Sequence, residues 1–202
     1  LGIDYKRETI TDIITTDVIN NFFEVKLAKA FRDKKENYIP SSSTLNQKNS
    51  NLFGSIKNHY HPKSDKYAIK SLGFDYYFSL NNLSDLEYNS LTGEISFNDF
   101  TTSVKFIEEN GPIGDSNILE NSFTYKIDEL NFISFNTRRN KKINLTEYYD
   151  LLYEYKNDCL TAGIHFNKTY YKDRDLKPSE NIMFRISFYP LTSVEQPLDL
   201  FN

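Results

Sequence analysis

Apolar and polar side chains alternate at every second position along most of this chain. The pattern is clearest near the C-terminal end, where single, mostly polar residues separate four apolar ones: Ile182, Phe184, Ile186 and Phe188. Successive side chains of a β-strand point to opposite faces of a sheet, so this period of two predicts a strand with one apolar face. Comparable segments recur at even spacing upstream. Together they predict an all-β fold of about ten antiparallel strands.

The connections between the predicted strands fall into two classes. Three are tight turns in which an Asn or Asp side chain can satisfy the turn backbone: Asn98-Asp99, Asp128-Glu129 and Asn157-Asp158. Longer links alternate with them, at residues 32–47, 81–87, 110–117, 139–144 and 172–180. Transmembrane β-barrels have short periplasmic turns and longer extracellular loops, so the alternation predicts a barrel of this kind. The turn at residues 61–66 fits least well, because it is longer than the other three.

Composition and charge narrow the class of protein. The chain has 15 Tyr and 16 Phe but no Trp, and aromatic side chains favour a pleated, half-buried surface. Several aromatic residues fall near predicted strand ends, where membrane barrels carry aromatic girdles: Tyr148, Tyr149, Tyr170, Tyr171, Phe188 and Tyr189. The net charge is -4 with both signs interspersed, so no basic face indicates a nucleic-acid partner. No apolar run approaches the roughly 18 residues of a membrane-spanning helix.

Alternatives to such a barrel remain open from the pattern alone. A soluble β-sandwich binding module also alternates, with its apolar face turned inward, and a porin or a nutrient receptor would alternate in the same way. His59 and His61 flank a turn and His165 is distant in sequence, so we expect no metal site. No spacing of carboxylates singles out an acid and base pair. We therefore expect neither an enzyme nor a bound cofactor.

Several stretches of the sequence carry a family resemblance. Tyr153-Glu-Tyr-Lys-Asn-Asp-Cys159-Leu-Thr-Ala-Gly163 is followed by Lys168-Thr-Tyr-Tyr-Lys-Asp-Arg-Asp-Leu-Lys-Pro178 and by residues 182–191. Upstream lie Ala30-Phe-Arg-Asp, Pro40-Ser-Ser-Ser-Thr-Leu45 and Asn49-Ser-Asn-Leu-Phe-Gly54. These stretches resemble the barrel of the lipopolysaccharide-assembly protein LptD family, in its α-proteobacterial form. The likeness spans nearly the whole chain, and its most specific part is the Tyr-x-Tyr-x-x-x-Cys-Leu run.

The resemblance implies a function in transport without chemistry. Residues 1–202 would be the C-terminal portion of a barrel in the cell outer membrane, with a periplasmic domain and the early strands lying upstream. Such a barrel encloses the lipoprotein LptE and inserts lipopolysaccharide into the outer leaflet, after its periplasmic domain has received the lipid from LptA. The strand that contains Ile182, Phe184, Ile186 and Phe188 would then be the closing strand, and its seam with the first strand would be the lateral gate.

Cys159 is the only cysteine, so no disulfide can form within the chain. It follows the short Asn157-Asp158 turn, which the alternation of connections places at the periplasmic end, in an oxidising compartment. The resembling family ties a cysteine at this place to its N-terminal periplasmic region, which implies a disulfide from Cys159 to that region. The alternative is a neutral thiol that serves only as a small side chain.

Overall fold

The computed structural model describes the chain apart from residues 11–19, 41–43, 63–67, 112–113, 171–177, 189–191 and 199–202. The described part is all-β, as predicted, with one short 3-10 helix at Thr44–Asn46. The strands are β1 (Gly2–Ile10), β2 (Asn20–Ala28), β3 (Leu52–Tyr60), β4 (Ile69–Leu80), β5 (Leu86–Phe97), β6 (Phe100–Gly111), β7 (Gly114–Lys126), β8 (Asn131–Asn140), β9 (Leu145–Lys156), β10 (Leu160–Thr169), β11 (Ser179–Phe188) and β12 (Thr192–Leu198). Within these ranges, no helix has the length and apolar character needed to cross a membrane.

The strands form one sheet in sequence order, from β1 to β12, without a crossover. Wherever the register is defined, neighbouring strands are antiparallel. In the described part of the chain no pairing joins β1 to β12, so the sheet is open. Contacts group the residues into two compact units, one of residues 1–95 with 105–118 and the other of residues 96–104 with 119–202.

The sequence pattern is wrong about the last strand. β11 pairs with β10 along one edge and with β12 along the other. Both edges of β11 are therefore occupied, and the closing strand does not contain Ile182, Phe184, Ile186 and Phe188. The alternation misses β12 because Gln196 stands where the period of two calls for an apolar residue, and because Pro197 counts against a strand, although proline is tolerated in an edge strand.

Alternation does predict the faces of the strands correctly. In the second unit, the register sets Ile164 opposite Phe184 on one face, and Gly163 opposite Arg185 on the other. In the first unit, Val25 lies opposite Tyr5 and Ile56. Each unit thus has an apolar face and a polar face, because side chains of successive residues point in opposite directions.

Burial is inverted relative to a soluble protein. Over the described ranges, Ile118 is the one buried apolar side chain. Apart from Gly163, the other buried residues are polar or charged: Glu24, Asn46, Ser50, Asn51, Ser55, Ser79, Asn89 and Ser90. Large apolar side chains are exposed along the strands, including Phe74, Leu151, Ile164 and Phe184. Soluble domains instead bury their apolar faces against another layer.

The three predicted tight turns are confirmed. Residues 98–99 join β5 to β6, residues 127–130 join β7 to β8, and residues 157–159 join β9 to β10. The predicted long link at residues 110–117 is wrong, since β6 extends to Gly111 and β7 begins at Gly114. The two strands therefore continue into the range that was predicted as a link. Their polar side chains are in contact, because Ser116 Oγ donates to Glu109 Oε2 at 2.9 Å.

Candidate functional site on the polar face

The polar face of the second unit contains a recess around Asp150. This recess has a volume of about 340 Å³ and is lined by Ser134, Asn136, Asp150, Leu152, Glu154, Gly163, His165, Met183 and Arg185. The lining residues come from β8, β9, β10 and β11, and they all lie on the face of the sheet opposite the apolar one. A neighbouring recess shares Asn136 and Asp150 and adds Tyr148, Asn167 and Thr169. Tyr148 therefore belongs to the polar face and not to an aromatic girdle.

Asp150 is the centre of a hydrogen-bond network that crosses four strands. Its Oδ2 lies 2.5 Å from His165 Nε2 and accepts from Asn167 Nδ2 at 3.2 Å. Its Oδ1 accepts from Asn136 Nδ2 at 3.4 Å, and Asn136 Oδ1 in turn accepts from Ser122 Oγ at 2.7 Å. An ionised carboxylate can only accept hydrogen bonds, so in that state Asp150 is the acceptor in all three contacts. The network fixes the side chains that form the recess.

A second group of charges lies at the other end of β8. The Arg138 guanidinium places Nη1 3.3 Å from Glu120 Oε1 and Nε 2.7 Å from Glu147 Oε2. The β8–β9 register shifts between Arg138 and Arg139, and such irregularities re-aim side chains at strand ends. Arg138 thus lies within β8, between two carboxylates.

The polar face of the first unit carries charges of both signs in matched positions. Glu24 lies directly opposite Lys57, and Lys26 lies directly opposite Asp4. Lys26 Nζ is 2.9 Å from Glu24 Oε2 and 3.7 Å from Asp4 Oδ2, while Lys57 Nζ is 3.8 Å from Glu24 Oε1. Only 9% of the Glu24 side chain is exposed. A buried carboxylate of this kind needs such cationic partners to remain charged.

The histidines are placed in polar contacts. His59 Nε2 lies 2.9 Å from Asp75 Oδ1, and its ring stacks on Phe22 at 4.7 Å between centroids. His165 contacts Asp150 as described above, and the backbone N–H of His61 donates to Asn21 Oδ1 at 2.5 Å. Where the structure describes the chain, it brings together no three His, Cys, Asp or Glu side chains suited to a metal ion.

Cys159 is exposed and its thiol is free. It ends the turn of residues 157–159, in which Asn157 Oδ1 accepts from the N–H of Cys159 at 3.0 Å and from that of Leu160 at 2.7 Å. In the turn of residues 127–130, a side-chain oxygen likewise accepts from the N–H groups two and three residues ahead. Both turns line a hollow of about 780 Å³.

Asp128 organises the turn of residues 127–130. Its Oδ1 accepts from the N–H groups of Leu130 and Asn131, each at 2.8 Å, and Asn131 Nδ2 donates to both carboxylate oxygens. The Asn131 side chain first, and then the Leu130 N–H, hold the pKa of Asp128 below its ordinary value of 3.8. Hydrogen bonds to the charged form have this effect.

The site residues predicted from the sequence are dispersed. Cys159 lies in a turn, whereas Ile182, Phe184, Ile186 and Phe188 lie along the apolar face of β11. Sequence reasoning missed the group around Asp150, although the alternation places Asp150, His165 and Arg185 on the polar face of their strands. The alternation could therefore have singled out these residues, but only the register of the strands shows that they lie close together. The recess contains hydrogen-bond donors and acceptors and charged side chains of both signs, which suits binding to polar groups or water.

No protein-family model matches this sequence, and neither a curated protein nor a solved structure is similar to it at a significant level. The likeness to LptD therefore rests on the sequence stretches alone.

Proposed function

We propose that this chain is part of an outer-membrane β-barrel of the LptD type, which inserts lipopolysaccharide into the outer leaflet of the outer membrane. Its apolar face contacts lipid, and its polar face lines a lumen that holds the lipoprotein LptE. A periplasmic domain upstream receives lipopolysaccharide from LptA. The proposed role is transport, and it requires no catalytic group.

The inverted burial carries the membrane part of the proposal. In a membrane barrel, lipid-facing apolar residues alternate with polar residues that face the interior. The exposed apolar side chains of the strands, such as Phe74 and Ile164, and the buried polar ones, such as Glu24 and Ser55, follow this arrangement. Because strands pair in sequence order, the sheet needs only to join its free edges, directly or through further strands, to form a barrel.

The lipopolysaccharide part rests on the sequence likeness, whose most specific element is the run from Tyr153 to Leu160. The runner-up is another outer-membrane barrel, a porin or a receptor, which the same two faces would fit. A soluble β-sandwich is disfavoured, because it would bury apolar residues between two sheets. The described strands lie in one sheet, and only Ile118 is a buried apolar residue among them.

Depletion of the native protein in its own cells tests the proposal. We expect the protein to remain in the isolated outer-membrane fraction after urea extraction and to require detergent for release. Depletion should lower the amount of lipopolysaccharide labelled at the cell surface and leave its synthesis intact. A protein that fractionates with soluble material would refute membrane insertion. Unchanged surface lipopolysaccharide in depleted cells, with the protein in the outer membrane, would favour the porin or receptor.

A further inference from the structure

The link between β2 and β3, described at residues 29–40 and 44–51, is held by backbone and side-chain hydrogen bonds. Ser50 N donates to Ala30 O and Ala30 N donates to Ser50 Oγ, both at 2.9 Å. Further along the link, Arg32 N donates to Lys48 O at 2.7 Å, so its two arms pair with each other. At its base, the buried Asn51 side chain donates to Ser79 Oγ at 3.0 Å and to Glu87 Oε2 at 2.5 Å. These contacts hold the link on β4 and β5.

The turn of residues 81–85 is joined to this link. Lys29 Nζ donates to Asn82 Oδ1 at 3.0 Å, and Asn82 Nδ2 donates to Asn49 O at 3.2 Å. Within the turn, Asn81 Oδ1 accepts from the N–H of Leu83 at 2.8 Å, and Ser84 has a φ of 69°. This tight geometry leaves the Leu83 side chain 82% exposed at the tip.

The link and the turn expose apolar side chains beside cations. Tyr38 is 97% exposed and Phe31 is 60% exposed, and Lys29 Nζ lies 5.9 Å from the Phe31 ring centroid. The basic residues of the link are Lys29, Arg32, Lys34, Lys35 and Lys48, against the acidic Asp33 and Glu36. All of these except Lys29 and Glu36 are exposed. The link is therefore locally positive in a chain whose net charge is -4.

We propose that residues 29–40 and 44–51, here named the cationic loop, bind together with Leu83 to the phosphate-bearing headgroups of the surrounding membrane. Interfacial segments combine exposed aromatic or aliphatic side chains, which enter the headgroup boundary, with Lys and Arg, which attract anionic lipid. The inference rests on the proposed membrane insertion and adds to it a headgroup contact that would fix the depth of this end of the first unit. The charge complementarity selects lipid phosphate as the occupant.

A photo-crosslinking residue, benzoylphenylalanine, in place of Tyr38 of the intact protein tests this contact. The protein is reconstituted in vesicles of phosphatidylcholine mixed with phosphatidylglycerol, and the lipid adducts are identified by mass spectrometry. We expect phosphatidylglycerol to be captured several-fold above its share of the lipid. The substitutions Arg32→Gln, Lys34→Gln and Lys35→Gln, combined, should abolish this preference. The substitutions Lys141→Gln and Lys142→Gln, in a different turn, should leave it unchanged.

A probe in place of Tyr125, which is 43% exposed on the apolar face, separates the two proposals. It should capture lipid without a headgroup preference. Lipid adducts at position 125 together with no adduct, or only protein adducts, at position 38 would overturn the headgroup contact and leave membrane insertion standing. Capture at position 38 in proportion to lipid composition would overturn phosphate recognition. Failure of both positions to capture lipid would overturn both proposals.

Discussion

His165 Nε2 lies 2.5 Å from Asp150 Oδ2, and the two residues come from neighbouring strands, β10 and β9. They are not directly opposite, because Asp150 pairs with Asn167 and His165 pairs with Leu152. The contact is diagonal, across the polar face, and long side chains can reach across that distance. It places a hydrogen-bonded carboxylate on the polar face, which the proposed barrel would turn toward its lumen.

Replacement of Asp150 should destabilise the sheet. Asp150→Ala removes the acceptor of His165, Asn167 and Asn136, and donors left without a partner cost about 1–3 kcal/mol. The free energy of unfolding by urea in detergent micelles measures this loss. Asp158→Ala, at an exposed position in the turn of residues 157–159, is the matched control and should change stability by less than about 0.5 kcal/mol. Equal losses in the two variants would show that the network around Asp150 adds nothing to stability.

The two faces of β11 should respond differently to a charge. Phe184 lies in the middle of the strand, opposite Ile164 on the apolar face, whereas Ser187 lies opposite Thr161 on the polar face. A lysine on the lipid side near the bilayer midplane costs on the order of 2–4 kcal/mol, so Phe184→Lys should impair barrel assembly far more than Ser187→Lys. The fraction that migrates as folded protein in unheated gel samples measures assembly. Equal impairment by both substitutions would contradict the assigned faces.

The turn of residues 127–130 should make stability depend on pH. The hydrogen bonds from Asn131 and Leu130 lower the pKa of Asp128 in the folded state. A lowered folded pKa contributes stability that is present above the ordinary pKa and is lost as pH falls through the folded value. Asp128→Asn should therefore lower stability at neutral pH and reduce its decline below about pH 4. Glu129→Gln removes the adjacent carboxylate and should preserve the decline. An identical pH profile in wild type and Asp128→Asn would rule out this role.

The sequence predicts local features of this fold better than contacts between strands. The turns at residues 127–130 and 157–159 are local, because Asp128 and Asn157 bond to residues two or three positions ahead. The facing of Phe184 follows from period two in the same way. The meeting of Asp150 and His165 depends on how β9 and β10 are aligned, and register is a property of two strands together. β12 is missed because Pro197 counts against a strand unless its edge position is known.

Gly54 should not tolerate a larger side chain. It pairs with Phe78, and a Cβ at this position would collide with the Phe78 ring and lie 2.9 Å from Leu27 Cδ2. Overpacking of this kind costs about 1–3 kcal/mol, so Gly54→Ala should lower the urea midpoint. A Cβ at Gly93 meets nothing within 4 Å, so Gly93→Ala should be neutral or stabilise by up to about 1 kcal/mol. Stabilisation by Gly54→Ala would mean that the Phe78 ring moves aside without cost.

Cys159 should form a disulfide in the intact protein. It is exposed and free within this chain. It lies in a turn that the alternation of short and long connections assigns to the periplasmic end, and the LptD likeness implies a partner in the upstream periplasmic region. Closing a loop of hundreds of residues would stabilise the native state by a few kcal/mol, about 2–4, if chain entropy dominates. Gel mobility of the intact protein should differ with and without reductant. The matched variant Cys159→Ser should lose that difference.

Alkylation of the Cys159 thiol is the measurement that could contradict the disulfide. Intact protein isolated under oxidising conditions and then denatured should resist alkylation at Cys159 until reductant is added, because a disulfide sulfur is not a nucleophile. A chain of residues 1–202 alone should react fully, since its thiol is exposed and has no second cysteine to pair with. Full reaction of Cys159 in the denatured, oxidised intact protein would show that no bridge exists, and Cys159 would then serve only as a small side chain at the start of β10.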